Sequence, residues 1–165
     1  MKKSAIILFI IGVATWMFLT WPPDLQHLLV GILVSAFVSF VIGDMFVTRP
    51  DLLKNPKRYL WFLYFVPVFL WECLKANFDV AYRVTHPDLP INPGIVKVRT
   101  TLKSDTGLTF LANAITLTPG TMSVDIDREG GFLYIHWIDV KDKEVWRATE
   151  MIVHNFEHIL KRIFE

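Results

Sequence analysis

The sequence predicts a membrane protein with an N-terminal transmembrane helical hairpin, an aromatic interfacial (or third transmembrane) helix, and a small α+β domain of order β-α-β-β-α. Three observations predict it. The hydrophobic fraction of the 165 residues is 53% and the mean hydropathy is +0.40, and the excess lies at the front, where residues 1–48 carry almost no charge beyond Lys2, Lys3, Asp24 and Asp44. A dense aromatic run follows, with charges only in its second half. From residue 95 the pattern becomes that of an ordinary folded domain, with period-two and helical spacing in alternation. The expected divisions are 1–48 for the hairpin, 49–84 for a basic loop and the aromatic helix, 85–94 for a Pro-rich linker and 95–165 for the α+β domain.

In the hairpin, Ser4 to Leu19 is uninterrupted by charge, with Trp16 and Trp21 toward its far end, where interfacial aromatics belong. Lys2 and Lys3 before an apolar run resemble a signal peptide, but no small-x-small cleavage site follows and a second apolar segment begins almost at once, so an anchor is expected. Pro22-Pro23-Asp24 makes the break. Leu25 to Val47 is a second span near the ~20 residues that cross the hydrocarbon. Within it Gly31, Ser35, Ser39 and Gly43 recur every fourth residue and form a groove of small side chains on one helix face, which lets another helix approach closely. Neither span holds an ionisable residue at mid-membrane depth, the usual mark of an ion or proton path.

Arg49, Lys54, Lys57 and Arg58 cluster after the second span, while the loop between the spans has no Lys or Arg. The positive-inside rule then places the N-terminus and this cluster in the cytoplasm. Tyr59 to Trp71 is short for a span before Glu72 interrupts it, and its aromatic density fits the headgroup boundary, so an interfacial helix is expected over a third span. Glu72, Lys75, Asp79 and Arg83 are spaced to pair along one helix face. Glu72, Lys75 and Asp79 form a possible charged site at the membrane edge.

In the last region, Ile95–Leu102 alternates, with Val96, Val98 and Leu102 on one face. A helix over Asp105–Thr116 is capped by Ser104 or Asp105. Thr118-Pro119-Gly120-Thr121 is a type II turn signal, with glycine at the position that needs positive φ. Thr121–Ile126 is expected as a strand with Met122, Val124 and Ile126 on one face, and Asp127–Gly131 as a hairpin turn into a strand over Phe132–Val140. Lys143–Phe164 is expected as one amphipathic helix, with Val145, Thr149, Ile152, Phe156, Ile159 and Ile163 inward and Glu157 among the outward residues.

Few residues carry chemistry. The lone Cys73 rules out an internal disulfide and sits in an apolar run where a buried thiol is the usual use. His154 and His158 have metal-ligand spacing with Glu150 and Glu157 close by, but all four lie on or beside the polar face and no H-E-x-x-H order is present. His136 lacks a partner carboxylate at motif spacing, and Asp125 and Asp127 read as a solvated strand end. The net charge of +1 argues against nucleic acid. No phosphate-binding glycine loop or nucleophile motif is present, and neither a cofactor nor a small-molecule substrate is expected; the chain reads as a non-enzyme. Asn113 and Thr116 are polar residues in an otherwise apolar helix; capping or turn bonding is the ordinary use of an isolated Asn, while in this setting they read, with Thr118, Pro119, Gly120 and Thr121, as a shaped contact surface or the turn that holds one.

At LANAITLTPGTMSVDID the sequence resembles the E-subunit family of multisubunit Na⁺/H⁺ antiporters of the Mrp or Mnh type. The family form N-S-I-T-L-T-P-G-T appears as Asn113-Ala114-Ile115-Thr116-Leu117-Thr118-Pro119-Gly120-Thr121, and L-Y-V-H-W as Leu133-Tyr134-Ile135-His136-Trp137. The likeness runs through the whole chain. It implies an accessory subunit of an inner-membrane complex that exchanges cytoplasmic Na⁺ for external H⁺, with the other subunits and the bilayer as partners; the charge placement around the hairpin puts the C-terminal domain in the cytoplasm. Similar subunits occur in antiporter-like modules of energy-converting hydrogenase and sulfur-reducing complexes. A stand-alone membrane-tethered regulatory domain is the alternative of a different class.

Overall fold

The computed structural model describes residues 3–22, 24–46 and 55–165. Lys2, Pro23, Arg49, Pro50 and Lys54, with the rest of the connection after the second span, lie outside the described residues. The chain divides into two compact units, Met1–Asn55 and Pro56–Glu165. The second takes in the aromatic helix and the linker, and so is wider than residues 95–165.

The first unit is a helical hairpin of α1 (Lys3–Leu19) and α2 (Leu25–Phe46). Asp24 starts α2, its carboxylate accepting from the His27 backbone N–H at 2.7 Å. That bond, followed by the His27 side chain, holds the Asp24 carboxyl below its ordinary value. Apolar side chains cover the outside of both helices; Phe18, Leu33 and Phe40 are 83%, 70% and 89% exposed. Such surfaces suit lipid as solvent. By length and composition Leu25–Gly43 can cross a membrane, as can Pro56–Thr85, while Ser4–Leu19 is shorter.

The second unit begins with α3 (Pro56–Thr85), a single helix that runs through Pro67. After it come β1 (Gly94–Arg99), α4 (Asp105–Leu117), β2 (Thr121–Asp127), β3 (Phe132–Trp137), α5 (Val145–Ile152) and α6 (His154–Phe164). The sheet is antiparallel, with β3 between β1 and β2. Val96 pairs with Ile135 and Val98 with Leu133, and these four buried residues line the covered face. Leu111 and Ile115 of α4, Ala148 and Ile152 of α5, and Phe156, Ile159, Leu160 and Ile163 of α6 join the core, together with Phe65 of α3. Ser104 is the cap of α4: its Oγ accepts from the Gly107 N–H at 3.1 Å.

Three expectations are corrected. The final helix is two helices that meet at Val153, because α5 packs on β1 while α6 turns to pack on α3 and α4. The turn buries Ile152 and Val153 side by side, whereas Val145 stays 36% exposed. Glu157 points inward: its Oε1 accepts from the Thr101 N–H and from Thr100 Oγ1 at 2.8 Å, fixing the loop after β1. In β2 a bulge between Ser123 and Asp125 breaks the alternation. Ser123 therefore pairs with Ile135 and Ile126 with Leu133 on the covered face, while Met122 pairs with His136 on the open one.

The linker is stitched to the sheet. Asn92 N–H donates to Ile138 O at 3.1 Å, Val140 N–H donates to Asn92 O at 2.8 Å, and Asn92 Nδ2 donates to Val140 O at 3.1 Å.

Candidate functional site

The stripe of small residues on α2 is covered within the chain. Gly31, Ser35, Ser39 and Gly43 are all buried, and α1 lies over them. A methyl group on Gly31 would sit 2.5 Å from Trp16 Cδ1, one on Gly43 2.8 Å from Ala5 Cα, and one on Gly12 of α1 2.9 Å from Ser35 Oγ. Small side chains thus permit the close approach of α1 and α2, which leaves the stripe closed to a helix from elsewhere. Ser39 Oγ and Trp16 Nε1 are buried there without a hydrogen-bond partner among the described residues.

The threonines of the motif are spent on joining α4 to β2. Thr118 Oγ1 donates to Ala114 O at 2.8 Å, which caps the end of α4. Thr121 Oγ1 donates to Ile115 O at 2.7 Å and to Thr118 O at 3.1 Å. Thr116 Oγ1 accepts from the Ser123 N–H at 3.1 Å, satisfying a backbone donor on the outer edge of the sheet. Pro119-Gly120 makes the turn, with Gly120 at φ 93°. A side chain at Gly120 would also come within 3.1 Å of Ile138 Cγ2 and 3.5 Å of Val80 Cγ2. Asn113 differs from these residues. It is exposed, and its side chain makes no hydrogen bond among the described residues. Leu117, four residues on, is 65% exposed.

The four charged residues in the second half of α3 are paired. Glu72 Oε1 accepts from Lys75 Nζ at 2.7 Å and from Asn155 Nδ2 at 3.2 Å. Asp79 accepts from Arg83 Nε at 2.8 Å and Nη2 at 3.0 Å. Those hydrogen bonds hold the Asp79 carboxyl below its ordinary value and raise Arg83 above its own. Arg83 is absent from the site residues that the sequence singles out, yet it is the most connected of the four. It also pairs with Asp139 at 2.9 Å and donates to Pro90 O at 2.5 Å. A lone buried guanidinium needs several acceptors, and the neighbouring polar linker was the available signal.

The structure brings two of the predicted sets together. Glu72, Lys75 and Asp79 face Thr118-Pro119-Gly120-Thr121 across a cleft of about 270 Å³, with Lys141 and Asn155 also on its walls. Carboxylates and ammonium groups are equal in number there, so the cleft offers hydrogen bonds of both kinds and little net field. Asn113 and Thr116 are not among its lining residues. Of the other candidates, Asp127 accepts from the Gly130 N–H at 2.8 Å as a turn residue, and Asp125 accepts from the Ile126 N–H at 2.8 Å. His158 Nδ1 lies 3.1 Å from His154 O. Among the described residues no group of three or more His, Cys, Asp or Glu side chains is gathered as a metal site.

Comparison with known proteins reaches almost the whole chain. The family MNHE, described as Na⁺/H⁺ ion antiporter subunit, matches residues 9–163. The E1 subunit of the Na⁺/H⁺ antiporter of Staphylococcus haemolyticus is 34% identical over 97% of this chain and 97% of its own. The corresponding E subunit of Alkalihalophilus pseudofirmus is 40% identical over 70% of this chain and 71% of its own. Among solved structures, a chain in that of the membrane-bound sulfane sulfur reductase, an archaeal respiratory membrane complex, superimposes with a TM-score of 0.84 at 47% identity, covering 98% of this chain and 99% of that one. The chain belongs to the family of Na⁺/H⁺ antiporter E subunits.

Proposed function

We propose that this protein is an accessory subunit of a multisubunit monovalent cation/proton antiporter complex, supporting assembly and ion translocation across the cell membrane. The end-to-end match to the antiporter E subunits carries the reading. The other subunits of that complex are its partners, and it has no catalytic role of its own. The protein is multi-pass, with the Pro56–Glu165 unit on the cytoplasmic side, a placement supported by the basic cluster after α2 and the absence of Lys and Arg between the spans. Asn113, exposed and unbonded beside Leu117, serves as a contact with a partner subunit. The threonines and the Pro119-Gly120 turn hold that contact in place.

A second setting has its own observation: the 47% identity to a chain of the sulfane sulfur reductase supports a redox-linked complex as the alternative to a free antiporter. Purification of the tagged chain in mild detergent, followed by native sizing and identification of co-purifying proteins, tests both. Antiporter subunits in constant ratio are expected. Redox subunits would move the chain to the second setting, and a discrete monomer would overturn both.

A further inference from the structure

From its geometry we infer that α3 lies in the plane of the membrane surface, with its bare apolar face sunk into the headgroup–acyl boundary of the cytoplasmic leaflet. The helix has two apolar faces. One is covered along its length: Trp61 is within 5.9 Å of the Arg162 guanidinium, Phe65 and Phe69 pack against Phe156, Cys73 approaches Leu117 O, and Arg83 pairs with Asp139. From Trp61 to Arg83 these contacts occupy about 33 Å of helix at 1.5 Å per residue, as much as the roughly 30 Å of hydrocarbon in a bilayer. A spanning α3 would therefore draw the strands, Arg162 and Asp139 into the acyl region, where unpaired polar groups are expensive.

The opposite face is bare. Leu60, Leu63, Leu70, Leu74 and Phe78 lie along it and are 67%, 69%, 59%, 47% and 70% exposed. A stripe this long is far more than scattered surface apolarity. Two facts select lipid as its occupant. Only residues 47–55 join α2 to α3, a reach of at most about 35 Å at full extension, so α3 is tethered near the bilayer that α2 crosses. Lys57 and Arg58 at its start, with Arg162 beside Trp61, match anionic headgroups. The exposed Trp71 and Tyr82 are residues that favour this boundary.

The inference rests on the hairpin as a membrane anchor and not on which complex the chain joins, so a failed co-purification leaves its test standing. Spin labels at Leu63, Leu70 and Phe78, placed one at a time by cysteine substitution in a Cys73→Ser background, are read in the full chain within its purified complex. The vesicles contain phosphatidylethanolamine and phosphatidylglycerol, and oxygen and a water-soluble nickel chelate are the relaxers. The three labels are expected at one shallow depth, within about 5 Å of each other. Depths that run through a maximum at Leu70 would show a spanning helix, access to neither relaxer would show a protein partner on this face, and access to nickel alone would show an aqueous one. Each of these three overturns the inference.

Discussion

The two units stay together by opposite means. In Pro56–Glu165 large side chains disappear: Leu111, Leu133, Ile135, Ile159 and Leu160 are fully buried, and water drives them inward at about 25 cal/mol per Å². In the hairpin most large side chains point outward, and what is buried is mainly small: Ser4 and Ala5 of α1 and Gly31, Ser35, Ser39 and Gly43 of α2, with Leu8 the one large aliphatic side chain buried among the described residues. Lipid offers no hydrophobic drive to associate, so α1 and α2 gain their contact by close approach over the small side chains of α2, against which Trp16 and Ala5 of α1 pack. The same methylene is therefore an asset in one unit and an obstacle in the other.

Substitutions can break that contrast. Leu111→Ala, at a core position with no exposure, should destabilise the second unit by about 2–5 kcal/mol; urea unfolding followed by near-ultraviolet circular dichroism measures it, and the hairpin should keep its helicity. The reverse change, Gly43→Leu, should push α1 from α2 because the added carbon meets backbone at Ala5. Overpacking of this kind costs about 1–3 kcal/mol, and cross-linking between cysteines on the two helices should fall while the second unit keeps its unfolding curve. Thr116→Val removes the acceptor for Ser123 N–H, a loss of about 1 kcal/mol confined to the α4–β2 edge and visible as faster amide exchange at Ser123. The smallest effect is electrostatic. Asp79 has a lowered folded-state pKa, so its contribution is present above its ordinary value and is lost as pH falls through the folded one. Arg83→Gln should shrink that acid-side loss, which a stability titration below about pH 5 would show.

Much of this contrast was legible in the residues. Small side chains at every fourth position of a lipid-facing run announce a packing face, and the type II turn at Pro119-Gly120 follows from proline's fixed φ and glycine's freedom. What was not legible depended on neighbours distant in sequence. The bulge near Val124 is invisible to a period-two pattern, because MSVDID alternates perfectly while β3 dictates the register. Glu157 reads as a solvated carboxylate until the loop of Thr100 and Thr101 is placed beside it. The bend at Val153 comes from α5 and α6 packing on different elements, while their periodicity runs nearly unbroken. At the candidate site, the motif threonines looked like contact residues because a polar side chain in an apolar run has the same appearance whether it bonds its own backbone or a partner's. Asn113 alone of the motif's polar residues is left without such a bond among the described residues, and a partner contact is proposed for it.

The proposed role of this chain is to shape and hold its complex while other subunits carry the ions. Glu72 tests it most directly, as a charged residue of the cleft whose partners, Lys75 and Asn155, belong to this chain. Na⁺-dependent proton movement is measured in vesicles containing the Glu72→Gln complex, with subunit stoichiometry checked in the same preparation. Exchange at the wild-type rate with assembly intact is expected; exchange lost while the complex remains whole would overturn the accessory role.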